Sequence, residues 1–496
     1  MKLTLSIESF QSWFTEILNQ DKFVYLFIFL IAFLIRLLPE IIVPSYPIGY
    51  ETITYYAPAM IPSTIGVNGG FSDLLNQFIV LNPSLSQFLR SGPLFYVLMW
   101  SIIDLFSVDA FVLLKIVGPL LYGCLAISFY FFVRRGLNLE IKTAFLVALF
   151  LIFQPAALRL SWDRYRTVLA LIFFFVSLVV LKKKNSNTKW VSVSFLGVLT
   201  VLSRDYIGLV MFLTVGGYVF NEKKDRLVSL MAMTPSFLFL LVLFDPNWFS
   251  WTSISVGNPF GMTDYGWILQ DILSITVVCY LLILPLVLKG FKKDSMLTPL
   301  VAWLLFASFG ILFFPWFAIP GYQRWLMLLV FPFSIYAVRG LKLLKFRKFK
   351  KPLFVIYFLM ILIIGIGYSS GTFSYVGQLP NSYVPIHLVQ SSIPWEEIDE
   401  VKNVLSWFDQ NALPNSTLLV EERFSGWAQF YLQRSTIDAE IIRYGDGNSP
   451  FSVWDETSIN QTYLLAYSDR SFLNFYQQYA FTDITLFKFI PDFGLP

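Results

Sequence analysis

The stretch "FVYLFIFLIAFLIRLLPEIIVPSYPIGYETITYYAP", Phe23 to Pro58, decides how this chain is built. Phe23–Val43 is apolar over the ~20 residues needed to cross the hydrocarbon of a bilayer. Directly after it, one carboxylate, Glu51, stands among tyrosines, prolines and a glycine. Composition extends the membrane reading to the rest of the chain. Of 496 residues, 56% are hydrophobic, 18% aromatic and only 14% charged, which excludes an ordinary soluble domain. A net charge of +4 is too small to argue for nucleic acid. The two cysteines, Cys124 and Cys279, fall inside apolar stretches, so neither a disulfide framework nor a thiolate metal site is expected.

Hydropathy predicts eleven spans: Phe23–Val43, Ala110–Val133, Thr143–Leu158, Thr167–Leu181, Trp190–Ser203, Tyr206–Phe220, Leu227–Phe244, Trp267–Leu288, Leu297–Phe317, Trp325–Val338 and Pro352–Ser369. Lysine and arginine mark every second connection, in "RRGLNLEIK", "KKKNSNTK", "NEKKDR", "KGFKKD" and "RGLKLLKFRKFKK". By the bias of basic residues these connections are cytoplasmic, with the N-terminus inside and the tail outside. The first residues lack the continuous apolar core of a cleavable signal. Ile7, Phe10, Trp13, Phe14, Ile17 and Leu18 share a helical face, which predicts a surface helix ahead of the first span, with an unstructured terminus as the alternative. Pro93–Phe106, "PLFYVLMWSIIDLF", is too short to span and reads as a re-entrant or interfacial helix within a long outer loop, 44–109. Residues 1–370 therefore form the membrane domain.

Residues 371–496 carry polar and turn residues in ordinary proportion and read as a small extracytoplasmic α/β domain. Helices are expected at "WEEIDEVKNVLSWFDQN" and "GWAQFYLQR", strands at "STLLVEE", "TYLLAYS" and "ITLFKFI". Two glycosylation sequons, at Asn415 and Asn460, fall in this part, as an outward placement permits.

The polar residues of the outer side are Glu51, Asp73 and Arg90 in the first loop, Arg159, Asp163, Arg164 and Arg166 in "RLSWDRYR", Arg204 and Asp205 in "SRDY", Asp245, Asp264, and Arg324 in "GYQRW". Every basic residue among them is arginine, whereas the cytoplasmic connections are mostly lysine. Arginine's planar, weakly hydrated fork suits phosphate in a partly dry site, so the segregation points to a phosphate held at the outer face. The structural alternative is that these arginines pair with nearby aspartates and orient helices. The lone histidine, His387, begins the outer domain, leaving proton removal or metal binding to Asp and Glu. Any metal in such an all-oxygen site is a hard ion such as Mg²⁺ or Mn²⁺.

Three motifs in order, "IGYETITYYAP", "SGPLFYVLMW" and "DRYRTVLALIFFFVSLVVL", resemble the GT-C superfamily of integral membrane glycosyltransferases that use polyprenyl-phosphate sugar donors. The likeness covers Phe23 to Phe220. It implies a polytopic α-helical membrane protein with a donor groove below an acidic motif in the first outer loop and often a second acid in a later one. On that pattern Glu51 matches the first acid and Asp163 the second, as catalytic residues or ligands of a metal. Arg90, Arg159, Arg164, Arg166, Arg204 and Arg324 are the candidate donor-phosphate ligands. Glu51 stands where many relatives have Asp, and no second acid adjoins it. The tail offers "WAQ", "WDE" and "WEE" in place of the Trp-Trp-Asp signature of the oligosaccharyltransferase catalytic subunit, and "TDYGW" lies in a membrane loop. Transfer to a lipid, glycan or protein hydroxyl is thus favoured over transfer to asparagine. Expected partners are the lipid-linked donor, membrane lipids and that acceptor. The competing functions are a non-catalytic assembly or binding protein and a transporter or flippase of lipid-linked sugar.

Overall fold

The structure, a computed structural model, describes residues 21–43, 46–49, 51–60, 75, 79, 88–89, 91–183, 186–221, 226–243, 262–313, 322–344, 350–371, 388, 390–391, 393–432, 440–444, 462–467, 475–480 and 484–489. The expected surface helix before the first span, Arg90, Asp73, Asp245, His387 and Asn460 lie outside the described residues. The chain is predominantly helical with one small sheet.

Helix α1 (Asp21–Ile42) is followed by a short helical segment, Thr52–Tyr56 continuing as Ala57–Met60. Then come α2 (Pro93–Phe106), α3 (Ala110–Phe131), α4 (Ile141–Ile152), α5 (Pro155–Asp163), α6 (Tyr165–Leu181), α7 (Asn187–Ser203), α8 (Asp205–Asn221) and α9 (Arg226–Leu243). The membrane part closes with α10 (Met262–Tyr280), α11 (Leu284–Gly290), α12 (Leu297–Phe313), α13 (Tyr322–Leu328), α14 (Val330–Lys342) and α15 (Lys350–Ser369). Among the described residues, three helical runs are long and apolar enough to cross a membrane: Asp21–Ile42, Ala110–Gly136 and Tyr322–Lys342. The number rises to five if the bent pairs α4–α5 and α10–α11 each count as one crossing. The Tyr322–Lys342 run is central, with 89% of its most apolar window buried, whereas α1 buries 33% and leaves Phe23, Leu26, Leu30 and Leu34 exposed.

Two expectations need correction. "RLSWDRYR" is helix rather than outer loop: α4 and α5 meet at a 64° bend where Pro155 starts the new helix, and α5 carries Arg159, Ser161 and Trp162, all buried, as far as Asp163. A single residue outside helical geometry, Arg164, then separates α5 from α6. The region expected as one span at Trp267–Leu288 is likewise bent, by 78°, between α10 and α11. Helix α2 has the bounds expected of it, and Asp109, accepting from the amides of Phe111 (2.8 Å) and Val112 (3.3 Å), starts α3 behind it.

Charged residues join the start of α1 and the end of α14 to the connection between α3 and α4. Asp21 at the start of α1 meets Arg135 at 3.0 Å and the hydroxyl of Tyr130 at 3.3 Å, and Lys342 at the end of α14 meets Glu140 ahead of α4 at 3.5 Å.

Beyond α15 the chain builds α16 (Ile398–Asn411), β1 (Thr417–Glu421), α17 (Glu422–Leu432), β2 (Glu440–Tyr444), β3 (Thr462–Tyr467), β4 (Phe475–Ala480) and β5 (Ile484–Phe489). The strand order is β2-β1-β3-β5-β4, with β1 parallel to both neighbours and β5 antiparallel to both of its own. Strands β2 and β4 were not expected from the sequence. Apolar residues at helical spacing in α16 (Ile398, Val401, Leu405, Phe408) cover Leu418 and Leu465 of the sheet. The same core continues through Tyr46, Ile53, Tyr56, Phe95 and Trp100, in the stretch between α1 and α3. Tyr46 meets Trp427 of α17 edge-on at 5.7 Å, so the sheet domain is seated on the segment that carries Glu51.

Candidate functional site

Glu51 opens the helical turn Thr52–Tyr56 and is half-buried. Burial alone raises the affinity of its carboxyl for a proton. Arg164, then Arg324, Arg166 and Arg204, act against that and hold the carboxyl below its ordinary range. Four of the six predicted phosphate ligands are therefore gathered around the predicted base, from three separate parts of the bundle.

The local reasons are specific. Arg164 is the one-residue break between α5 and α6, and Arg204 is the equivalent break between α7 and α8. Two arginines thus sit at the N-terminal ends of helices, where free backbone amides add positive potential. Arg164 is buried, and its Nε makes no hydrogen bond among the described residues. Arg204 lies 3.9 Å from its neighbour Asp205 and 5.3 Å over the ring of Tyr206. Tyr206 shares a hydrogen bond of 2.8 Å with Thr167 and packs on Trp325, beside Arg324 in α13.

Arg166, in the first turn of α6, donates through Nε to the Tyr56 hydroxyl at 3.2 Å and through Nη1 to the carbonyl of Ser91, and its guanidinium lies over the rings of Tyr56 and Tyr96. Burial, the largest influence, holds the Tyr56 phenol protonated far above its ordinary range, so Tyr56 serves as a hydrogen-bonding group rather than a base. Gly92 permits this closeness. Its φ is +69°, and a Cβ there would stand 2.5 Å from the Ser203 carbonyl oxygen and 2.8 Å from Arg166 Cδ. The "SGPLFYVLMW" motif is therefore wedged between "DRYR" and the end of α7.

The other predicted residues divide. Arg159 is buried in α5, ahead of the break. Asp163 is the last residue of α5, with its backbone beside Arg164. Arg90 lies outside the described residues. Among the described side chains, the four guanidiniums that act on Glu51 favour an anion over a divalent cation beside its carboxylate. Among the described residues no three Asp, Glu, His or Cys cluster as ligands would.

Sequence reasoning missed the tyrosines and threonines that support the charged groups: Tyr56, Tyr96, Tyr165, Tyr206, Thr52 and Thr167. The Thr52 hydroxyl and the Tyr165 hydroxyl lie 3.2 Å apart, tying the Glu51 segment to the start of α6. It also missed Arg36 and Glu40, which form a fully buried ion pair of 2.9 Å near the end of α1. Their signal was present, an arginine and a glutamate four residues apart inside a hydrophobic run.

The arrangement sets buried Arg164 and partly buried Arg166, Arg204 and Arg324 to act on one ionised carboxylate. In comparisons with known proteins, no family model and no curated protein matches the chain.

Proposed function

We propose that this protein is a GT-C-like membrane glycosyltransferase that moves a sugar from a polyprenyl-phosphate donor to a hydroxyl of a lipid, glycan or protein acceptor. One observation carries the reading: the charges of Arg164, Arg324, Arg166 and Arg204 all act on the Glu51 carboxyl, which supports guanidiniums able to bind phosphate near a proton acceptor. In the reaction the acceptor oxygen attacks the anomeric carbon, the carbon–oxygen bond to phosphate breaks, and the phosphate leaves with the bonding electrons. The acceptor proton passes to a Glu51 carboxylate oxygen. Arg164 and Arg166 hold the departing phosphate, with Arg204 and Arg324 completing the positive field and Asp163 orienting the arginine beside it. Arrival of the donor phosphate neutralises part of that field, so Glu51 becomes a stronger base when the donor is bound than when the site is empty. No step in this scheme needs a metal.

The reading includes eleven crossings with the site and the sheet domain outside the cell membrane. Its support is the clustering of Asp21, Arg135, Glu140 and Lys342 at one end and of Glu51, Arg164, Arg204 and Arg324 together elsewhere, as helices of alternating direction would give. The short apolar helices α6, α8, α9, α12 and α15 then cross in protein-lined surroundings.

A second reading keeps the site and removes the turnover. A carboxyl held low by four arginines is a weak base at rest, as in a protein that binds lipid phosphate without reacting. Purified protein in liposomes, supplied with radiolabelled polyprenyl-phosphate sugars and with or without chelator, separates the two. Transfer to water or acceptor supports the enzyme, while saturable donor binding with no label released supports the binding protein. Transfer abolished by chelator would overturn the metal-free scheme.

A further inference from the structure

Arg36 and Glu40 are wholly buried, with side chains 0% and 1% exposed, in a helix that faces lipid elsewhere. A buried ion pair is a costly way to stabilise a membrane helix, and apolar residues of similar size do so at least as well. What these two touch supplies another reason for them. Arg36 donates through Nε to the Ser161 carbonyl (3.2 Å) and through Nη2 to the Trp162 carbonyl (2.9 Å), and its guanidinium lies 4.8 Å over the Trp162 ring. These are the last carbonyls of α5, immediately before Asp163 and Arg164. With Nη1 on Glu40 Oε1, all three nitrogens of the fork are engaged. Glu40 accepts the Ile48 amide on its other oxygen, at 3.4 Å, and Ile48 in turn accepts from the Thr52 hydroxyl at 3.1 Å. Lys115 of α3 closes the arrangement by donating to the carbonyls of Glu40 (2.8 Å), Val43 (2.7 Å) and Tyr46 (3.3 Å). Space is provided by Gly118, where a Cβ would stand 2.9 Å from Arg36 Nη2.

The geometry points to Arg36 and Glu40 as positioning residues that set the spacing between the Arg164 break and the Glu51 segment. Arg36 holds the phosphate side and Glu40 holds the carboxylate side, and their ion pair fixes one to the other. Neither touches the reacting groups. The positioning role rests on the transferase reading, whereas the brace itself does not.

The test uses the full chain in liposomes, with hydrogen exchange read on peptides covering Ser161–Arg166 and on peptides covering Ile48 to Tyr56. Arg36→Lys keeps charge and partner but loses the fork, so exchange at Ser161–Arg166 should rise at least tenfold while the Glu51 segment changes little. Glu40→Gln should do the opposite. The double variant Arg36→Met with Glu40→Met should insert, melt within a few degrees of the wild type, loosen both segments and lower transfer ten- to a hundredfold, mainly in kcat. Equal loosening of both segments by each single variant, or exchange within twofold of wild type in all three, would overturn the brace. Loosened segments with undiminished transfer would overturn the positioning role. A wild type that transfers no sugar would defeat the proposed function, and the exchange pattern would still decide the brace.

Discussion

Two charged regions of this molecule use similar residues to different ends. Where α1 begins, Asp21 faces Arg135 at 3.0 Å, and Lys342 faces Glu140 at 3.5 Å, with Arg135 and Lys342 about half exposed and Glu140 largely so. Acids and bases there meet in the open, as pairs that water can replace. Around Glu51 four arginines act on one carboxylate, Arg164 is buried, and among the described side chains Arg204 has a second acid, Asp205, close by. Surplus positive charge in a partly dry place is unfavourable unless an anion completes it. The contrast teaches that acids and bases pair one to one where α1 begins, whereas around Glu51 the described basic side chains outnumber the acidic ones.

The strongest way to break that comparison is at Glu51. Glu51→Gln should insert and bind donor while losing transfer by about two to four orders of magnitude, the usual worth of a positioned base. Initial rates and donor affinity measured separately decide it, and full activity would end the assignment. Next are the arginines. Arg164→Lys or Arg166→Lys keeps the charge but loses the fork, and should weaken donor binding by about one to two orders of magnitude, the worth of one charge-assisted hydrogen bond. Unchanged affinity in both variants would give them a purely structural task.

A third prediction concerns pH. The arginines hold Glu51 below its ordinary range, and a base works only when deprotonated. Transfer at low donor should then stay level from neutral down to about pH 5 and fall only below the ordinary glutamate value of about 4.3. Folding follows the same sign: the stability that Glu51 gains from the arginines is present above its unfolded value and is lost as pH falls through the folded one. Replacing Arg164 by Met should move the acidic limb of the rate profile toward neutral. The smallest expected effect is at the opposite end. Arg135→Ala should cost less than about 1 kcal/mol and leave donor affinity unchanged, since its pair with Asp21 is half exposed. A large loss of donor affinity there would remove the contrast between the two regions.

Much of this was legible in the sequence because it depends on hydrophobic period and on residue type. Helix α2 kept its bounds since Gly92 and Pro93 mark its start, and α16 followed the spacing of Ile398, Val401, Leu405 and Phe408. The choice of arginine over lysine located four residues of the candidate site before their meeting was visible. What could not be read was geometry without a periodic signature. A helix broken at a single residue, as at Arg164 and Arg204, leaves the hydrophobic run on each side intact, so "RLSWDRYR" looked like a loop. Strand β4, "FYQQYA", carries two glutamines and lacks an apolar run, so its place on the sheet edge beside β5 comes from pairing rather than from pattern. The partners of Arg36 and Glu40 had no signal in the sequence, because the carbonyls of Ser161 and Trp162 and the amide of Ile48 are backbone groups that no residue type reveals.

The seat of the sheet domain on the outer loop has a consequence for how the protein is made. Tyr46 leaves the ribosome among the first segments, and its aromatic partner Trp427 among the last, with nearly all the membrane helices between them. Contacts so distant in sequence form slowly and only after the intervening chain is in place. The segment bearing Glu51 must therefore pass through synthesis with its apolar side uncovered, and the carboxylate reaches its final setting only when α17 has arrived. A nascent chain halted before Glu422 would carry every arginine that acts on Glu51 and still lack the α17 contacts that seat its segment.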